Sequence, residues 1–202
     1  MPVAIMLVFS ALFVVAPQGM AQVAIGSTAP AFRVTDDTGA MRSLADYRGK
    51  FVVLEWHEKC CPYVTKHYRG GAMQARQKTW MGRGVVWLLV NSSAEGFHSS
   101  LTPQESRVYR AELGATPTAM LLDPAGTVGR AYGVATALHM VIIDPSGRVV
   151  YNGAIDDQPK TEAPSLNGAT NYVDVALTAV LAGKAVTTPT TTPYGCEVHY
   201  AR

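Results

Sequence analysis

The sequence has little charge and no cluster of basic residues. Charged residues make up 16% of its 202 positions, and the formal net charge is +2. Proteins that bind nucleic acids concentrate Lys and Arg in one patch, so this composition gives no indication of a nucleic-acid partner. The sequence also has no internal repeat. With 48% hydrophobic residues, the chain is long enough for a single globular domain with a substantial core.

A second absence is that of a local dithiol. The chain has three cysteines, Cys60, Cys61 and Cys196. In a Cys-x-x-Cys pair, the second thiol lies within bonding reach of the first across one helical turn. Counted from Cys61 that position is Val64, and counted from Cys60 it is Tyr63. A dithiol of this spacing is therefore excluded in both registers.

The amino terminus lacks basic residues but carries a long apolar run. Positions 3–16 are almost entirely apolar, and the residues at 17–21, Pro-Gln-Gly-Met-Ala, suit cleavage after Ala21. The run is shorter than the roughly 20 apolar residues of a membrane span. Residues 1–21 are therefore predicted to be a secretory signal peptide. The mature chain is predicted to be periplasmic or otherwise exported, without stable membrane association, in an oxidising compartment where a disulfide persists.

Two of the cysteines lie where a strand is predicted to give way to a helix. Residues 51–54 are Phe-Val-Val-Leu, typical of a buried strand, and helical spacing begins near Cys61. The free N–H groups and the positive dipole end of a helix stabilise an anion, so a thiolate is favoured at this position. The stretch 55–64 is therefore predicted to carry out thiol chemistry.

The remaining chain alternates strand and helix patterns. The Asp- and Gly-rich stretch 36–39 predicts a turn after a strand-like segment at 31–35. Strands are predicted at 51–56, 85–90, 119–122, 140–143 and 148–151, and helices at about 61–80, 103–113, 128–132 and 172–181. This order predicts an α/β sheet that is covered on both faces. The domain is predicted to span 22–186, followed by a Thr/Pro-rich tail, 187–202, that carries Cys196. Residues 187–193 of this tail are predicted to be extended.

These motifs and their order resemble the thioredoxin fold, and in particular its redoxin branch, the alkyl hydroperoxide reductase/thiol-specific antioxidant superfamily. The resemblance covers about 24–185. More narrowly, the chain is similar to an exported subfamily with a Cys-Pro-aromatic-Val motif. The matching stretches are 61–64, 66–68, 90–93, 132–133, 139–140, 151–156, 171–173 and 194–196. The resemblance implies a central mixed β-sheet with helices on both faces. It also implies an oxidoreductase with an antioxidant role in cell redox homeostasis.

The identity of the attacking cysteine is left open by the sequence. Counting from Trp56, as in a thioredoxin, puts Cys60 in the attacking position, whereas the Cys-Pro-Tyr step puts Cys61 there. We favour Cys61, followed by Pro62, because it also matches the subfamily motif. A bond between the adjacent Cys60 and Cys61 is disfavoured by disulfide geometry. Cys196 or Cys60 is then the resolving thiol, and the alternative for Cys196 is a static staple between the tail and the domain.

Charged residues surround the cysteines. Lys59 would favour a thiolate and Glu58 would oppose it. His57 is a candidate proton acceptor near neutral pH. Lys66 and His67 are expected on the surface of the cysteine helix, with Tyr68 packed inward.

One position departs from the related families. Leu138, next to His139, stands where thioredoxins place a cis-proline and peroxiredoxins an arginine that polarises the peroxide. The peroxiredoxin pattern Pro-x-x-x-Thr/Ser-x-x-Cys is also absent, because Leu54 and Glu58 occupy its first two positions before Cys61. Peroxide reduction of the usual type is therefore not favoured, whereas disulfide exchange requires only an accessible thiolate.

Three functions follow from these residues. The favoured one is a thiol–disulfide oxidoreductase whose partners are thiol or disulfide proteins, or a small-molecule electron donor. The alternative is a thiol peroxidase that reduces hydroperoxides. The third is a non-enzymatic binder, for instance a copper(I) carrier using Cys60, Cys61 and His57 or His139. No two histidines have a recognisable metal spacing, so neither a metal nor another cofactor is predicted. The sequence gives no prediction of the oligomeric state.

Overall fold

A computed structural model describes residues 21–201. The predicted signal peptide, apart from Ala21, lies outside these residues. Within the described part of the chain, no helix is both long and apolar enough to cross a bilayer.

Seven strands, five α-helices and two short 3-10 helices make up the described chain. The strands are β1 Arg33–Thr35, β2 Met41–Ser43, β3 Val52–Trp56, β4 Val86–Asn91, β5 Ala119–Leu122, β6 His139–Ile143 and β7 Val149–Ala154. The α-helices are α1 Pro62–Arg69, α2 Ala72–Met81, α3 Pro103–Glu112, α4 Thr127–Ala131 and α5 Tyr172–Leu181. The 3-10 helices are Leu44–Tyr47 and Ala163–Leu166.

Five strands form one mixed sheet in the order β5-β4-β3-β6-β7. β3, β4 and β5 are parallel, whereas β6 and β7 run antiparallel to their neighbours. β3 is the central strand, and every residue from Val52 to Trp56 is buried. The cysteine loop follows the carboxyl end of β3, so it lies beside the centre of the sheet, at the end where the parallel strands terminate. The hairpin of β1 and β2 confirms the predicted turn at 36–39.

Side chains alternate between the two faces of the sheet, and each face has its own core. On one face, Val53 and Trp87 pack with residues of α1, α2 and α5, and Tyr109 of α3 packs against the same cluster. On the other face, Leu54 and Trp56 pack with α4 and with Phe32 from the amino-terminal segment. The prediction of a mixed central sheet flanked by helices on both faces is thereby confirmed.

The prediction of a single cysteine helix over 61–80 is wrong. The helix ends at Arg69, and a second one begins at Ala72. Gly70 and Gly71 separate them, and Gly71 has φ +75°, a left-handed conformation that side chains other than glycine rarely adopt. Two consecutive glycines thus divide a pattern that hydrophobic spacing alone presents as continuous.

The tail after α5 contains no helix within the described residues and lies against the domain. Thr190 forms a bridge with Asn152 of β7, and Glu197 forms an antiparallel bridge with Thr136. Val198 is 3% exposed and belongs to the second core. The tail is docked along the body of the protein, and the extended conformation of 187–193 stays a prediction.

Candidate redox site

Cys61 lies at the start of α1, five positions after the end of β3. It is the N-cap residue, with an extended backbone, and Pro62 follows in the first turn. Proline suits this position because its fixed φ matches the helix and its missing N–H is not needed there. Cys61 is 2% exposed, so its sulfur is held in the core beneath the loop.

Cys61 is joined to Cys196 by a disulfide that links positions 135 apart in the sequence. Their Cα atoms are 5.8 Å apart, within the usual range for disulfides. The backbone N–H of Cys196 also points at the Cys61 sulfur, with an N–S distance of 3.4 Å. Cys60 is exposed and unbonded in the described chain, and its backbone has φ +64°. The structure therefore contains one of the two pairings considered for Cys196.

Main-chain hydrogen bonds hold Cys196 in place. Ala137 donates its N–H to the carbonyl of Cys196 at 2.8 Å, and Val198 donates to the carbonyl of Ala135 at 2.9 Å. Gly195 lets the two backbones approach, since a Cβ at this position would lie 2.3 Å from the carbonyl oxygen of Ala137. The tail thus pairs with 135–137, immediately before β6.

A buried polar cluster anchors the tail two residues before Cys196. The Tyr194 hydroxyl donates to the Asp156 carboxylate and lies 3.3 Å from Lys66 Nζ and 3.4 Å from His67 Nε2. Lys66 and His67 are 3% and 0% exposed, so their expected surface location is wrong. They are buried because the tail and Asp156 cover this side of α1.

The His67 ring carries no charge in this anchor. Burial lowers the pKa of His67 to about 3, and the nearby positive charges of Lys66 and Arg76 act in the same direction. The Asp156 carboxylate is 3.6 Å from His67 Nε2, but it does not offset the desolvation of a fully buried ring. His67 is therefore neutral at pH 7. Burial also lowers the pKa of Lys66.

A second polar network lies behind the cysteine loop. Glu55, fully buried on β3, accepts hydrogen bonds from Tyr68 Oη at 2.8 Å and Trp87 Nε1 at 2.7 Å. His57 lies between this carboxylate, 3.5 Å from Nδ1, and the Tyr109 hydroxyl, 3.1 Å from Nε2. The inward packing of Tyr68 is confirmed, and its pKa is raised well above its usual value, chiefly by burial. His57 as proton acceptor stays a prediction.

Glu58 lies in the loop that leads to the cysteines, and it is almost completely buried, at 1% exposure. Its Oε2 accepts a hydrogen bond from the Ser93 hydroxyl at 2.6 Å, and Ser93 lies 2.9 Å from the Ser99 hydroxyl. Its Oε1 has no hydrogen-bond partner among the described residues. Burial raises the pKa of Glu58, and the hydrogen bonds from Ser93 and Ser99 lower it by less.

A cavity of about 40 Å³ opens at the disulfide. Its lining includes Glu58, Cys60, Cys61, His98, Cys196 and His199. His57 and His139 do not contribute to this lining within the described chain. The cavity therefore brings together all three cysteines and a buried carboxylate.

Leu138 and His139 lie on either side of the start of β6. Leu138 has φ +55°, uncommon for a branched side chain, and its N–H donates to the Trp56 carbonyl at 2.8 Å. It is fully buried, and it follows directly after the segment that pairs with the tail. His139 is buried against Trp56 and hydrogen-bonded to Asn152, and burial lowers its pKa to about 4. Its neutral ring connects β6 to β7.

The described residues contain no group of three His, Cys, Asp or Glu side chains arranged to hold a metal ion. The set considered for copper, Cys60 and Cys61 with His57 or His139, is not brought together, because neither histidine reaches the cavity of the cysteines.

Known proteins resemble this chain in sequence and in fold. The model of the AhpC/TSA family matches residues 25–152, more than half of the chain. The chain belongs to the AhpC/TSA family. The resemblance to the redoxin branch is therefore confirmed, whereas membership of an exported subfamily stays a prediction.

Relatives of this AhpC/TSA chain include a thiol-disulfide oxidoreductase ResA of Geobacillus kaustophilus (strain HTA426). It is 34% identical over 117 residues, which are 52% of this chain and 67% of the relative. A hypothetical protein of Sinorhizobium meliloti 1021 superposes with a TM-score of 0.75 at 24% identity, covering 90% of this chain and 97% of its own. The thioredoxin domain of a thiol-disulfide oxidoreductase from Bacteroides vulgatus has a TM-score of 0.52 at 21% identity, covering 65% and 89%. The thioredoxin fold is thereby confirmed.

Some residues of the site were not predicted from the sequence. Asp156 and Tyr194 matched family motifs, but their contact joins positions 38 apart and leaves no local signal. Glu55 carried a signal, because a carboxylate inside the apolar run 52–56 is expected to be paired within the core. The burial of Glu58 has no such signal, since Ser93 and Ser99 come from a distant loop.

Proposed function

We propose that this protein is a thiol–disulfide oxidoreductase in which Cys61 attacks and Cys196 resolves. The observation that carries the proposal is the Cys61–Cys196 disulfide at the amino end of α1. The name of the ResA relative supports the same reaction class. The tail supplies in space the second thiol that the sequence lacks at the Cys-x-x-Cys position.

The reaction proceeds in two exchanges. The Cys61 thiolate attacks a substrate disulfide, forms a mixed disulfide and releases one substrate thiolate. Cys196, after losing its proton, attacks the Cys61 sulfur, forms the internal disulfide and releases the second substrate thiolate. Two electrons and two protons thus pass from the protein to the substrate, and a thiol donor returns them in the reverse direction.

The local structure favours Cys61 as the attacking thiolate. The amino end of α1 and the backbone N–H of Cys196 both direct positive charge at its sulfur. Cys60 precedes the helix and its N-cap, and it is exposed. Under this proposal Cys60 is not required for either exchange.

Export and an antioxidant role in redox homeostasis are part of the proposal. The apolar run 3–16 with small residues before position 22 supports removal of residues 1–21 and a periplasmic or otherwise exported mature chain. A domain of 22–186 followed by the tail 187–202 completes the proposed organisation. The partners are a disulfide substrate and a thiol electron donor.

The test is mass spectrometry of the purified mature protein after thiol alkylation, before and after reaction with a disulfide substrate or hydrogen peroxide. Wild type and Cys60→Ser are expected to form the Cys61–Cys196 bond reversibly and to turn over an insulin-type disulfide substrate. Cys61→Ser is expected to be inactive, and Cys196→Ser to accumulate the mixed disulfide. Retained activity in Cys61→Ser would contradict the proposal, and faster oxidation by peroxide than by disulfides would favour the peroxidase alternative.

A further inference from the structure

We propose that residues 198–201 of the tail form a terminal clamp that stays on the body of the protein when the Cys61–Cys196 disulfide is open. Tyr200 is the positioning residue of this clamp. The inference rests on the proposed function and adds a residue to it. Because the clamp keeps Cys196 close to Cys61 during the first exchange, Tyr200 determines how fast Cys196 resolves the mixed disulfide.

The first argument is the slot that receives the Tyr200 ring. A Cβ at Gly126 would lie 2.4 Å from Tyr200 Cδ1, and a Cβ at Gly129 would lie 2.3 Å from Tyr200 Oη. The Arg130 guanidinium lies over the ring, 4.7 Å from its centroid. The Tyr200 hydroxyl donates to the Val134 carbonyl at 2.7 Å. The slot on α4 therefore fits a planar ring, and a side chain at either glycine would close it.

The second argument is that the rest of the clamp is held by contacts that do not involve sulfur. Val198 is 3% exposed and belongs to the second core, and its N–H donates to the Ala135 carbonyl at 2.9 Å. The His199 carbonyl accepts the N–H of Ala94 at 2.8 Å. None of these contacts requires the disulfide. The clamp is therefore expected to persist when the two cysteines are reduced.

The third argument is the position of Cys196 between two attachments. The tail leaves α5 after Leu181, and Cys196 lies two residues before Val198. With the clamp docked, opening the disulfide produces a loop that is fixed at both ends. A thiol on such a loop has a higher effective concentration than one on a free chain end, because the chain samples less space. Cys61 is 2% exposed, so the segment around Tyr194 is the part that moves to admit a substrate.

The experiment uses the full mature protein with Cys60→Ser and the chromogenic disulfide dithiobis(nitrobenzoate). Reduced protein releases two chromophores in sequence, the first on attack by Cys61 and the second on resolution by Cys196. Stopped-flow absorbance gives both rates. Tyr200→Ala is expected to slow the second phase about tenfold without slowing the first, since it frees one end of the loop and lowers the effective concentration of Cys196. Tyr200→Phe keeps the ring in the slot and is expected to lie between Tyr200→Ala and the parent protein.

Gly129→Ala tests the slot from the side of the body. Its Cβ displaces the Tyr200 ring, so the second phase is expected to slow as it does in Tyr200→Ala. The same Cβ would lie 2.9 Å from the Ser92 hydroxyl, and the double variant Gly129→Ala/Tyr200→Ala separates these two effects. The double variant is expected to be no slower than Tyr200→Ala alone. Gly70→Ala, whose Cβ would meet nothing within 4 Å, is the matched control and is expected to keep both rates.

Three results would overturn the clamp. They are an unchanged second phase in Tyr200→Ala, equal slowing of both phases in that variant, and a double variant that is clearly slower than Tyr200→Ala. A parent protein that releases no second chromophore gives a different result. In that case the Cys61–Cys196 pairing of the proposed function fails, and the role of the clamp fails with it.

Discussion

The anchor around Tyr194 predicts how strongly the fold favours the Cys61–Cys196 disulfide. In Tyr194→Phe the ring remains, but the hydroxyl contacts to Asp156, Lys66 and His67 are lost. Removing one partner from buried polar groups costs about 1–3 kcal/mol. Asp156 and Lys66 keep hydrogen bonds with the backbone of Gln158, so no charge is left without any partner.

This loss acts on the tail, which is free to leave only when the disulfide is reduced. In the reduced variant the tail can undock, and the unfavourable contacts are then lost. In the oxidised variant the disulfide keeps the tail docked, so these contacts remain. The disulfide is therefore expected to become less stable by up to about 1–3 kcal/mol. For a two-electron couple this raises the reduction potential by up to about 20–60 mV.

The assay is redox equilibration of Cys60→Ser and Cys60→Ser/Tyr194→Phe protein in dithiothreitol buffers, with the oxidised fraction read by alkylation and mass spectrometry. Tyr63→Phe is the matched control, because Tyr63 packs edge-on against Tyr194 with ring centroids 5.6 Å apart. Its hydroxyl has no hydrogen bond within the described chain. An unchanged potential in Tyr194→Phe, or an equal shift in Tyr63→Phe, would refute the anchoring role of the hydroxyl.

Three further predictions concern the same framework. Gly195→Ala places a Cβ 2.3 Å from the Ala137 carbonyl oxygen. It is expected to slow Cys61–Cys196 formation in the alkylation assay, whereas Gly168→Ala, in open space, is expected to leave the rate unchanged. His139 has its pKa lowered from 6.5 to about 4, so the unfolded chain binds its proton first as pH falls. Stability is therefore lost from about pH 6.5 down to pH 4, by up to about 3 kcal/mol. Urea unfolding of His139→Gln is expected to lack this component, and a pH-independent difference from wild type would contradict it. Glu55→Gln turns an amide toward buried donors and is expected to lower the free energy of unfolding by about 2–3 kcal/mol; a loss below about 0.5 kcal/mol in urea would show that Glu55 is dispensable.

Local patterns predicted the elements that are bounded by strong local signals. β5 and α5 have the bounds expected from the sequence, 119–122 and 172–181. An Asp-Pro-Ala-Gly turn follows β5, and Gly183 follows α5. The cysteine helix was predicted to be continuous because apolar spacing persists across Gly70 and Gly71, although the left-handed conformation of Gly71 ends it.

The site was predictable only where its chemistry is local. The place of Cys61 before Pro62 follows from the strand-to-helix junction, and Cys196 was one of two candidates for the second thiol. The burial of Lys66 and His67 was not predictable, because their partner Tyr194 is 128 and 127 positions away. Charged residues on a helix are ordinarily expected at the surface. Lys66 and His67 are buried instead because the tail packs over them.

The Cys61–Cys196 disulfide has a consequence for the lifetime of the protein. It closes a loop of 135 positions that contains every strand after β3 and all five α-helices. In the chain-entropy description, closing a loop of this length stabilises the folded state by about 5 kcal/mol. Each catalytic cycle would therefore alternate the chain between a state resistant to global unfolding and one that opens far more often. The time that the protein spends reduced by the electron donor would thus also determine how long it is open to attack by a protease.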